Sequence, residues 1–308
     1  SWDAPVIYTT MVQLLEVLFG AGTRGARRMH QLSRAVLVFD EVQTLPVKCA
    51  HLFNNSINFL AEQCSTTVLL CTATQPLLHG VDPAKGSIRL APKPELMPDV
   101  GKLFKALQRV TVNDRRKVGG WTDQEVAELA AVEMQSSGSC LVIVNTKASA
   151  RRIFELCASV LASDAVFHLS TDMCPAHRKA RLATLLARLN EGLPTLCVST
   201  QLIEAGVDVD FGGVIRFMAG LDSIAQAAGR CNRNGRRVKG SVYIVNPQVE
   251  NLDKLPDILQ GRNAALRVLD EYLQKPERFD DDLLSPTAMH AYYRYYFFDR
   301  AGDMSYAL

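Results

Sequence analysis

Two adjacent carboxylates follow an apolar run near the start of the 308-residue chain. In the stretch V-L-V-F-D-E-V-Q-T at 36–44, Asp40 and Glu41 come directly after the apolar residues, and Gln43 stands two places later. Ligands of parallel sheets bind at the carboxyl ends of strands. There, one carboxylate can hold Mg²⁺ while another orients or deprotonates a water that attacks a phosphate. Acidic pairs at strand ends also begin loops or cap helices, so the pair alone leaves both interpretations open.

Polar residues with related chemistry follow three later segments. Thr72 and Thr74 come after the apolar run T-T-V-L-L, and a later run ends in S-T-Q-L-I-E-A-G-V-D. In the third segment, Q-A-A-G-R-C-N-R, Arg230 and Arg233 are three residues apart. If that segment is helical, both guanidinium groups lie on one face, where they can grip a phosphate.

Short apolar runs alternate with helix-patterned stretches along most of the chain. Leu182, Leu185, Leu186 and Leu189 recur at helical spacing before a stop at Gly192. Strands that are apolar throughout and alternate with amphipathic helices indicate a parallel sheet covered on both faces. The sequence therefore predicts an α/β fold. The predicted strands are 35–39, 67–73, 140–144, 195–198, 213–218 and 241–245.

A proline-rich stretch divides this pattern. In A-P-K-P-E-L-M-P at 91–98, the three prolines prevent a continuous helix or a central strand. The aromatic run Y-Y-R-Y-Y-F-F at 292–298 is interpreted as a helix packed against the second α/β unit, with base stacking as the alternative. The predicted divisions are a first unit, a linker and connecting segment, a second unit and a helical C-terminal extension, at 1–92, 93–118, 119–247 and 248–308.

Composition argues against several other classes of protein. Hydrophobic residues make up 48% of the chain and charged residues 21%, which is typical of a globular protein. The apolar runs are too short to cross a bilayer and we recognise no signal peptide, so we expect no membrane association. The eight cysteines form no C-x-x-C pair, which argues against a zinc site and predicts a reducing cytoplasm. No His-Asp pair offers ligands for a metal-dependent nuclease.

Four of these segments together resemble a known motif series. D-E-x-Q, T-A-T, T-x-x-x-E-x-G-x-D and Q-x-x-G-R-x-x-R occur in the order of the second to sixth motifs of superfamily 2 helicases. More narrowly, D-E-V-Q-T-L-P, L-S-T-D-M-C-P-A-H-R and G-L-D-S-I-A-Q-A-A-G-R-C-N-R-N-G resemble the helicase part of the type I CRISPR helicase-nuclease. The resemblance extends from about Trp2 to Pro247.

This resemblance implies two RecA-like lobes that clamp ATP, with single-stranded DNA lying across both. The first lobe would be partial and occupy 1–92, and the second would occupy 119–247. Asp40 would coordinate Mg²⁺, Glu41 would activate water, and Gln43 would link the carboxylates to the second lobe.

The remaining motif residues also take roles from the resemblance. Thr72 and Thr74 would couple hydrolysis to lobe movement, and Arg230 and Arg233 would act as arginine fingers. The residues expected at the nucleotide cleft are Gly206, Asp208 and Gln226.

Contacts with DNA are expected from small polar residues, which suit sequence-independent binding of the phosphate backbone. Thr9 and Thr10 have an equally good alternative, in which they end a strand and cap a helix. The expected DNA-contacting residues are Thr9, Thr10, Asn145, Thr146 and Thr200.

Two features of the helicase-nuclease family are missing from these 308 residues. No G-x-x-x-x-G-K-[ST] stretch precedes D-E-V-Q to cradle the phosphates, and the His-Asp nuclease is absent. We therefore expect a piece of such an enzyme, whether cut for experiment, split from a partner chain that carries the phosphate loop, or degenerate. Alone it should neither hydrolyse ATP well nor cut DNA. The intact enzyme would move along single-stranded DNA and work with a CRISPR surveillance complex.

Two other functions fit the same sequence. A non-catalytic module on a helicase scaffold would bind DNA or a protein partner, and the missing phosphate loop favours it. Another superfamily 2 helicase, acting on RNA or duplex DNA, is the alternative among enzymes.

Overall fold

The parts of the chain described in a computed structural model are residues 2–21, 23–72, 74, 76–204 and 206–304, without the side chains of 24 and 26. These residues group into two units. Unit 1 joins the two ends of the chain, because it consists of Ser1–Pro98 together with Tyr293–Leu308. Unit 2 is continuous and consists of Asp99–Tyr292.

Unit 1 contains a parallel pair of strands. Its helices and strands are α1 Met11–Phe19, α2 Thr23–Met29, β1 Val36–Asp40, α3 Ala50–Gln63 and β2 Thr67–Cys71, with short 3₁₀ turns at His30–Leu32, Val42–Thr44 and Val47–Cys49. In the register of the pair, Val36 lies opposite Thr67 and Asp40 lies opposite Cys71. Both strands therefore end at the same edge, one residue before Glu41 and Thr72.

Helix α3 covers one face of strand β1. Phe39 packs edge-on against the fully buried Phe53 of α3, with ring centroids 5.1 Å apart. Alternate residues of a strand point to opposite faces, and Val36 and Val38 on the other face are 69% and 59% exposed. Among the described residues, that apolar face is open to solvent.

Unit 2 contains a six-stranded parallel sheet in the order β3-β8-β7-β4-β6-β5. Its elements are α4 Val100–Ala106, β3 Val110–Asp114, α5 Asp123–Ser137, β4 Ser139–Ile143, α6 Lys147–Val160, β5 Val166–Leu169, α7 Pro175–Asn190, β6 Thr195–Ser199, β7 Gly213–Phe217, α8 Leu221–Ala228, β8 Gly240–Val245 and α9 Pro256–Gln274. A last helix, α10 Pro286–Asp299, begins in unit 2 and ends in unit 1. No helix in the described part of the chain is long and apolar enough to cross a membrane.

Three of the four internal strands of unit 2, β4, β6 and β7, are buried along their whole length. Within β4, Cys140 and Val142 belong to the core formed with α5 and α6. Leu141 and Ile143 belong to the core formed with α7 and α8. Helices thus cover both faces of the sheet, which explains the uninterrupted apolar runs. The predicted α/β fold is confirmed.

Two strands of the sheet have no counterpart in the predicted set. Strand β3, V-T-V-N-D, and strand β5, V-F-H-L, lie at the two edges. An edge strand pairs on one side only and tolerates polar residues such as Asn113 and His168. Neither strand therefore carries a long apolar run in the sequence.

The predicted packing of the C-terminal aromatic run is wrong for most of its residues. Tyr292 belongs to unit 2, but Tyr296 and Phe297 pack against the hydrophobic core of unit 1, which also contains the buried Met304. Aromatic residues occur on every side of this helix, so their spacing does not indicate which core they join.

Replacing Phe53 by alanine is expected to destabilise unit 1, because it removes the ring beneath the end of β1. A buried Phe→Ala change costs about 3–5 kcal/mol. Phe59→Ala on the same helix is the matched control, since Phe59 is 54% exposed and its loss should cost less than about 1 kcal/mol. Urea unfolding measures both variants, and equal losses would contradict this packing.

Candidate functional site

The parallel register of unit 1 brings two polar segments together. Because Asp40 lies opposite Cys71, the residues after β1 and those after β2 leave the same edge of the pair. Asp40 itself has an exposed side chain at this edge. This is the edge at which ligands of parallel sheets bind.

Glu41 has an unusual backbone conformation. Its φ of 55° and ψ of 46° place it in the left-handed region, which costs a residue with a Cβ about 1–2 kcal/mol. The carbonyl oxygen of Glu41 accepts hydrogen bonds from the backbone nitrogen of Thr44 at 2.9 Å and from its Oγ1 at 2.8 Å. Strain of this kind concentrates at functional sites.

A hydrogen-bonded network joins the two segments. Gln43 Nε2 donates to Glu41 Oε2, and Thr72 Oγ1 donates to Gln43 Oε1. An ionised carboxylate only accepts hydrogen bonds, so Glu41 fixes which end of the Gln43 amide faces it. Thr72 Oγ1 also accepts from the Thr74 backbone nitrogen at 3.0 Å and lies 2.9 Å from the Thr74 carbonyl oxygen. Four predicted site residues are thus brought together within unit 1, whereas Gln43 was expected to link the carboxylates to the second lobe.

In unit 2, the two candidate arginines have different surroundings. The condition for a shared helical face is not met, because α8 ends at Ala228 and Cys231 forms an isolated β-bridge with Phe211. Arg230 is buried, and it donates from Nε to the Ile203 carbonyl oxygen at 3.1 Å. Its Nη2 donates to the Glu204 carbonyl oxygen at 2.5 Å.

Arg233 is half-exposed and forms an ion pair at the surface. Its Nε lies 2.8 Å from Oδ1 of Asp208, whose side chain is 86% exposed. The backbone nitrogens of Arg233 and Asn234 donate to the two carboxylate oxygens of Asp210, at 2.7 and 3.3 Å. Exposed ion pairs contribute about 0–1 kcal/mol, so the Arg233 guanidinium can exchange Asp208 for another anion at little cost.

The other two predicted cleft residues have simpler surroundings. Gly206 has φ +70°, and a Cβ at this position would meet no atom, so backbone conformation is what favours glycine here. Gln226 lies half-buried on α8. The neighbouring Ala205 lies outside the described residues.

Sequence reasoning missed Arg216, which is fully buried at the end of β7. Its Nε lies 2.7 Å from Glu204 Oε1, and its Nη1 donates to Asn145 Oδ1 at 2.6 Å. Asn145 Nδ2 in turn donates to the Met218 carbonyl oxygen and to Glu250 Oε2, both at 3.0 Å. One cation thereby holds the segments that follow β4 and β6. A single arginine inside the apolar run 213–218 was the signal in the sequence.

Burial controls the charge of this cluster. It raises the pKa of Glu204 to about 7, although the Arg216 guanidinium opposes that rise. Burial also raises the pKa of Asp222, against a hydrogen bond from the Tyr292 hydroxyl. Desolvation disfavours each charged carboxylate, and the neighbouring donors partly restore it.

The predicted DNA-contacting residues divide into capping and buried groups. Thr10 Oγ1 caps α1 by accepting from the Gln13 backbone nitrogen at 3.2 Å, as the capping alternative expects, while the exposed Thr9 donates to Gln13 Oε1 at 2.7 Å. Thr146 Oγ1 caps α6 by accepting from the Ser149 backbone nitrogen at 3.1 Å. These hydroxyls lie at helix N-termini, which favour anions.

Asn145 and Thr200 lie deeper. Both residues are buried, and the Asn145 amide is occupied by Arg216, Met218 and Glu250. A side-chain contact between Asn145 and DNA would require this network to open.

In the described part of the chain, no group of three histidine, cysteine or acidic side chains forms a metal site.

Comparison with known proteins finds similar sequences and similar folds. Residues 136–236 match the family model for the C-terminal part of the CRISPR-associated nuclease/helicase Cas3. The Cas3 of Haloferax volcanii is 27% identical over 318 residues, an alignment that covers 76% of this chain and 34% of that protein. The chain is similar in sequence to Cas3 proteins over these residues. It spans about a third of that Cas3 protein's length, and the predicted resemblance is confirmed.

Solved Cas3 structures share the fold. T. fusca Cas3 aligns with a TM-score of 0.67 at 20% identity, covering 96% of this chain and 39% of that one. The same protein has been solved with ADP, AMPPNP and ATP. A chain of a CRISPR RNA-guided surveillance complex in its pre-nicking state aligns with a TM-score of 0.58 at 17% identity, covering 94% of this chain and 43% of that one. The RecA-like α/β fold predicted from the motif series is thereby confirmed.

Replacing Arg216 by methionine is expected to destabilise unit 2 strongly, because it leaves Glu204 buried without a counter-charge. Removing one partner of a buried ion pair costs about 3–5 kcal/mol. Burial already raises the pKa of Glu204 above its ordinary 4.5, and loss of the guanidinium raises it further. A carboxyl whose pKa is raised in the folded protein makes that protein less stable as the pH rises from 4.5 through the folded pKa. The folded pKa is higher in the variant than in the wild type, so the variant continues to lose stability at pH values where the wild type no longer does. The destabilisation should therefore be larger at pH 8 than at pH 6.

Urea unfolding of the wild type and the variant at both pH values measures this difference. The Glu204→Gln/Arg216→Met double variant is the control, because a glutamine at 204 cannot ionise and the extra loss at pH 8 should disappear. A loss independent of pH in the single variant would contradict the assignment of Glu204 as the ionising group.

Proposed function

We propose that the natural polypeptide containing this chain is an ATP-dependent helicase that moves along single-stranded DNA in CRISPR defence. The observation that carries the proposal is the network from Glu41 through Gln43 and Thr72 to Thr74, beside the exposed Asp40. Such an arrangement suits a reaction in which one carboxylate holds Mg²⁺ and a second positions water. The ATP-bound form of T. fusca Cas3 supports the choice of nucleotide.

In unit 1, the two carboxylates have distinct roles. Asp40 is an exposed oxygen ligand at the carboxyl end of β1, which fits Mg²⁺ carried with ATP. When bound, Mg²⁺ neutralises charge on the phosphates. Glu41 orients and deprotonates the attacking water, and Gln43 holds the Glu41 carboxylate in one orientation. Thr72 contacts Gln43 and Thr74, and through these contacts the two threonines couple hydrolysis to movement of the lobes.

In unit 2, Arg233 is the better arginine finger of the two. Its guanidinium leaves Asp208 to stabilise negative charge on the transferred phosphate. Arg230 supports this role by holding the backbone of 203–204 and, through it, the segment that leads to Gly206 and Asp208. Gln226 helps to close the nucleotide cleft.

Single-stranded DNA is the proposed polymer substrate. The capping hydroxyls of Thr10 and Thr146, with Thr9 beside them, offer phosphate contacts at helix N-termini. Thr200 and Asn145 contribute through the segments that they anchor. None of these groups distinguishes one base from another, as a translocating enzyme requires. The structural likeness to a chain of a surveillance complex supports such a complex as the protein partner.

We propose that the phosphate-binding loop is supplied by residues outside this sequence. The exposed Val36 and Val38 support this proposal, because an apolar strand face of this kind is normally covered by further structure. A segment that carries G-x-x-x-x-G-K-[ST] would cover it, either in the same polypeptide or in a partner chain. The nuclease activity of the family would likewise belong to another segment.

In the full natural polypeptide, Asp40→Ala is expected to abolish DNA-stimulated ATP hydrolysis, because the Mg²⁺ ligand is lost. Arg233→Ala should lower kcat about 10³-fold, the usual effect of losing an arginine finger. The matched control is Arg236→Ala, an exposed arginine on the same loop whose Nε lies 3.9 Å from Asp210. Steady-state ATPase assays with and without single-stranded DNA measure these effects. Unchanged turnover in Asp40→Ala and Arg233→Ala would refute the proposed function.

The 308-residue chain alone should hydrolyse ATP no faster than its own Asp40→Ala variant, because it lacks the loop that grips the phosphates. The same assay without the rest of the polypeptide tests this. DNA-stimulated turnover that depends on Asp40 would show instead that another segment of this chain cradles the phosphates.

A non-catalytic scaffold remains the second candidate, and the absent phosphate loop favours it. Nucleotide dependence separates the two functions. DNA binding by the full polypeptide should change with ATP and Mg²⁺ if it is a motor, and should ignore them if it is a scaffold.

A further inference from the structure

A tyrosine from the far end of the chain reaches the polar network of unit 1. Tyr293, on α10, is buried, and its hydroxyl oxygen lies 3.2 Å from Thr74 Oγ1 and 3.3 Å from the Thr74 carbonyl oxygen. Both distances fit if the tyrosine donates to the carbonyl oxygen and accepts from Oγ1. The two residues are separated by 219 positions in the sequence.

Thr74 is thereby held from two sides. The Tyr293 hydroxyl lies 3.3 Å from its carbonyl oxygen, and Thr72 Oγ1 accepts from its backbone nitrogen at 3.0 Å. Thr72 then contacts Gln43, and Gln43 contacts Glu41. The hydrogen bonds form an unbroken series from Tyr293 to the carboxylate that is proposed to position water.

The tyrosine ring is well fixed for this role. It stacks on Phe297 with ring centroids 5.8 Å apart and an interplanar angle of 27°. Phe297 and Tyr296 pack in turn against the core of unit 1. Burial of a hydroxyl is costly unless it is hydrogen-bonded, and an aromatic side chain has only two rotatable angles. Tyr293 therefore presents its hydroxyl to Thr74 in one position.

We propose that Tyr293 is a positioning residue for the ATPase reaction. Its hydroxyl fixes the Thr74 peptide, and through Thr72 and Gln43 it limits the orientations of the Glu41 carboxylate. The proposal rests on the proposed function for its effect on turnover, but the effect on Thr74 is independent of it. Helix α10 is then part of the hydrolytic machinery and not only an appended helix.

The Tyr293→Phe variant isolates the hydroxyl, because phenylalanine keeps the ring and its stacking on Phe297. Tyr296→Phe is the matched control on the same helix, where the lost hydroxyl accepts from Arg300 Nη1 at 2.6 Å. Amide hydrogen exchange of the 308-residue chain provides the first readout. Loss of one neutral hydrogen bond should speed exchange at Thr72–Thr74 and at 41–44 about fivefold in Tyr293→Phe and leave it unchanged in Tyr296→Phe.

Steady-state kinetics of the full natural polypeptide provide the second readout. Tyr293→Phe should lower kcat for ATP about fivefold with KM changed less than about twofold, because a misplaced Glu41 affects the transition state more than nucleotide binding. If Tyr293 served only to pack, kcat and KM would both stay unchanged, since the ring is retained.

Each combination of results decides the proposal. Faster exchange at both segments together with a lower kcat supports it. Unchanged exchange, or faster exchange with normal kcat in an active enzyme, overturns it. If the wild-type polypeptide shows no DNA-stimulated ATPase, the proposed function fails, and exchange alone then supports or overturns the positioning of Thr74 by Tyr293.

Discussion

The register of β1 and β2 is the constraint on which the candidate site of unit 1 depends. Parallel pairing of Asp40 with Cys71 makes both strands end at one edge, so the residues that follow them meet. A shift of one residue would reverse the faces of a strand, and would expose Phe39 while burying Val38. The packing of Phe39 on Phe53 therefore holds the register, and the register determines which polar side chains can meet.

In unit 2, a buried charge and not the register of one strand pair brings the loops after the strands together. Arg216 is fully buried in the sheet of unit 2, and its guanidinium ties together the segments that follow β4 and β6. Burial of such a cation is costly unless its hydrogen-bonding groups are matched. Glu204 supplies the counter-charge and Asn145 accepts from Nη1, so a predicted DNA contact and a residue of the 199–208 segment form one structural group.

The sequence was sufficient for the fold class and for placing Asp40, Glu41, Thr72 and Thr74 directly at or after the ends of two strands, but not for the contact of Gln43 with Thr72. Apolar runs identify central strands, and parallel strands place their carboxyl ends together, so neither inference required coordinates. The arginines were harder to place. Three-residue spacing describes a helix only while the helix continues, and the pairing of Cys231 with Phe211 ends it. Tyr293 was beyond prediction, because its contact depends on how the chain returns to unit 1.

That return has a consequence for synthesis on the ribosome. Unit 2 is continuous and can assemble as soon as its own residues have emerged, since domains fold as units during translation. Unit 1 emerges first but needs Phe297 and Met304 to complete its core. It must therefore wait, partly built, while almost two hundred further residues are made. A nascent chain would thus carry Asp40 and Glu41 long before the α10 residues that complete the core of their unit had been made.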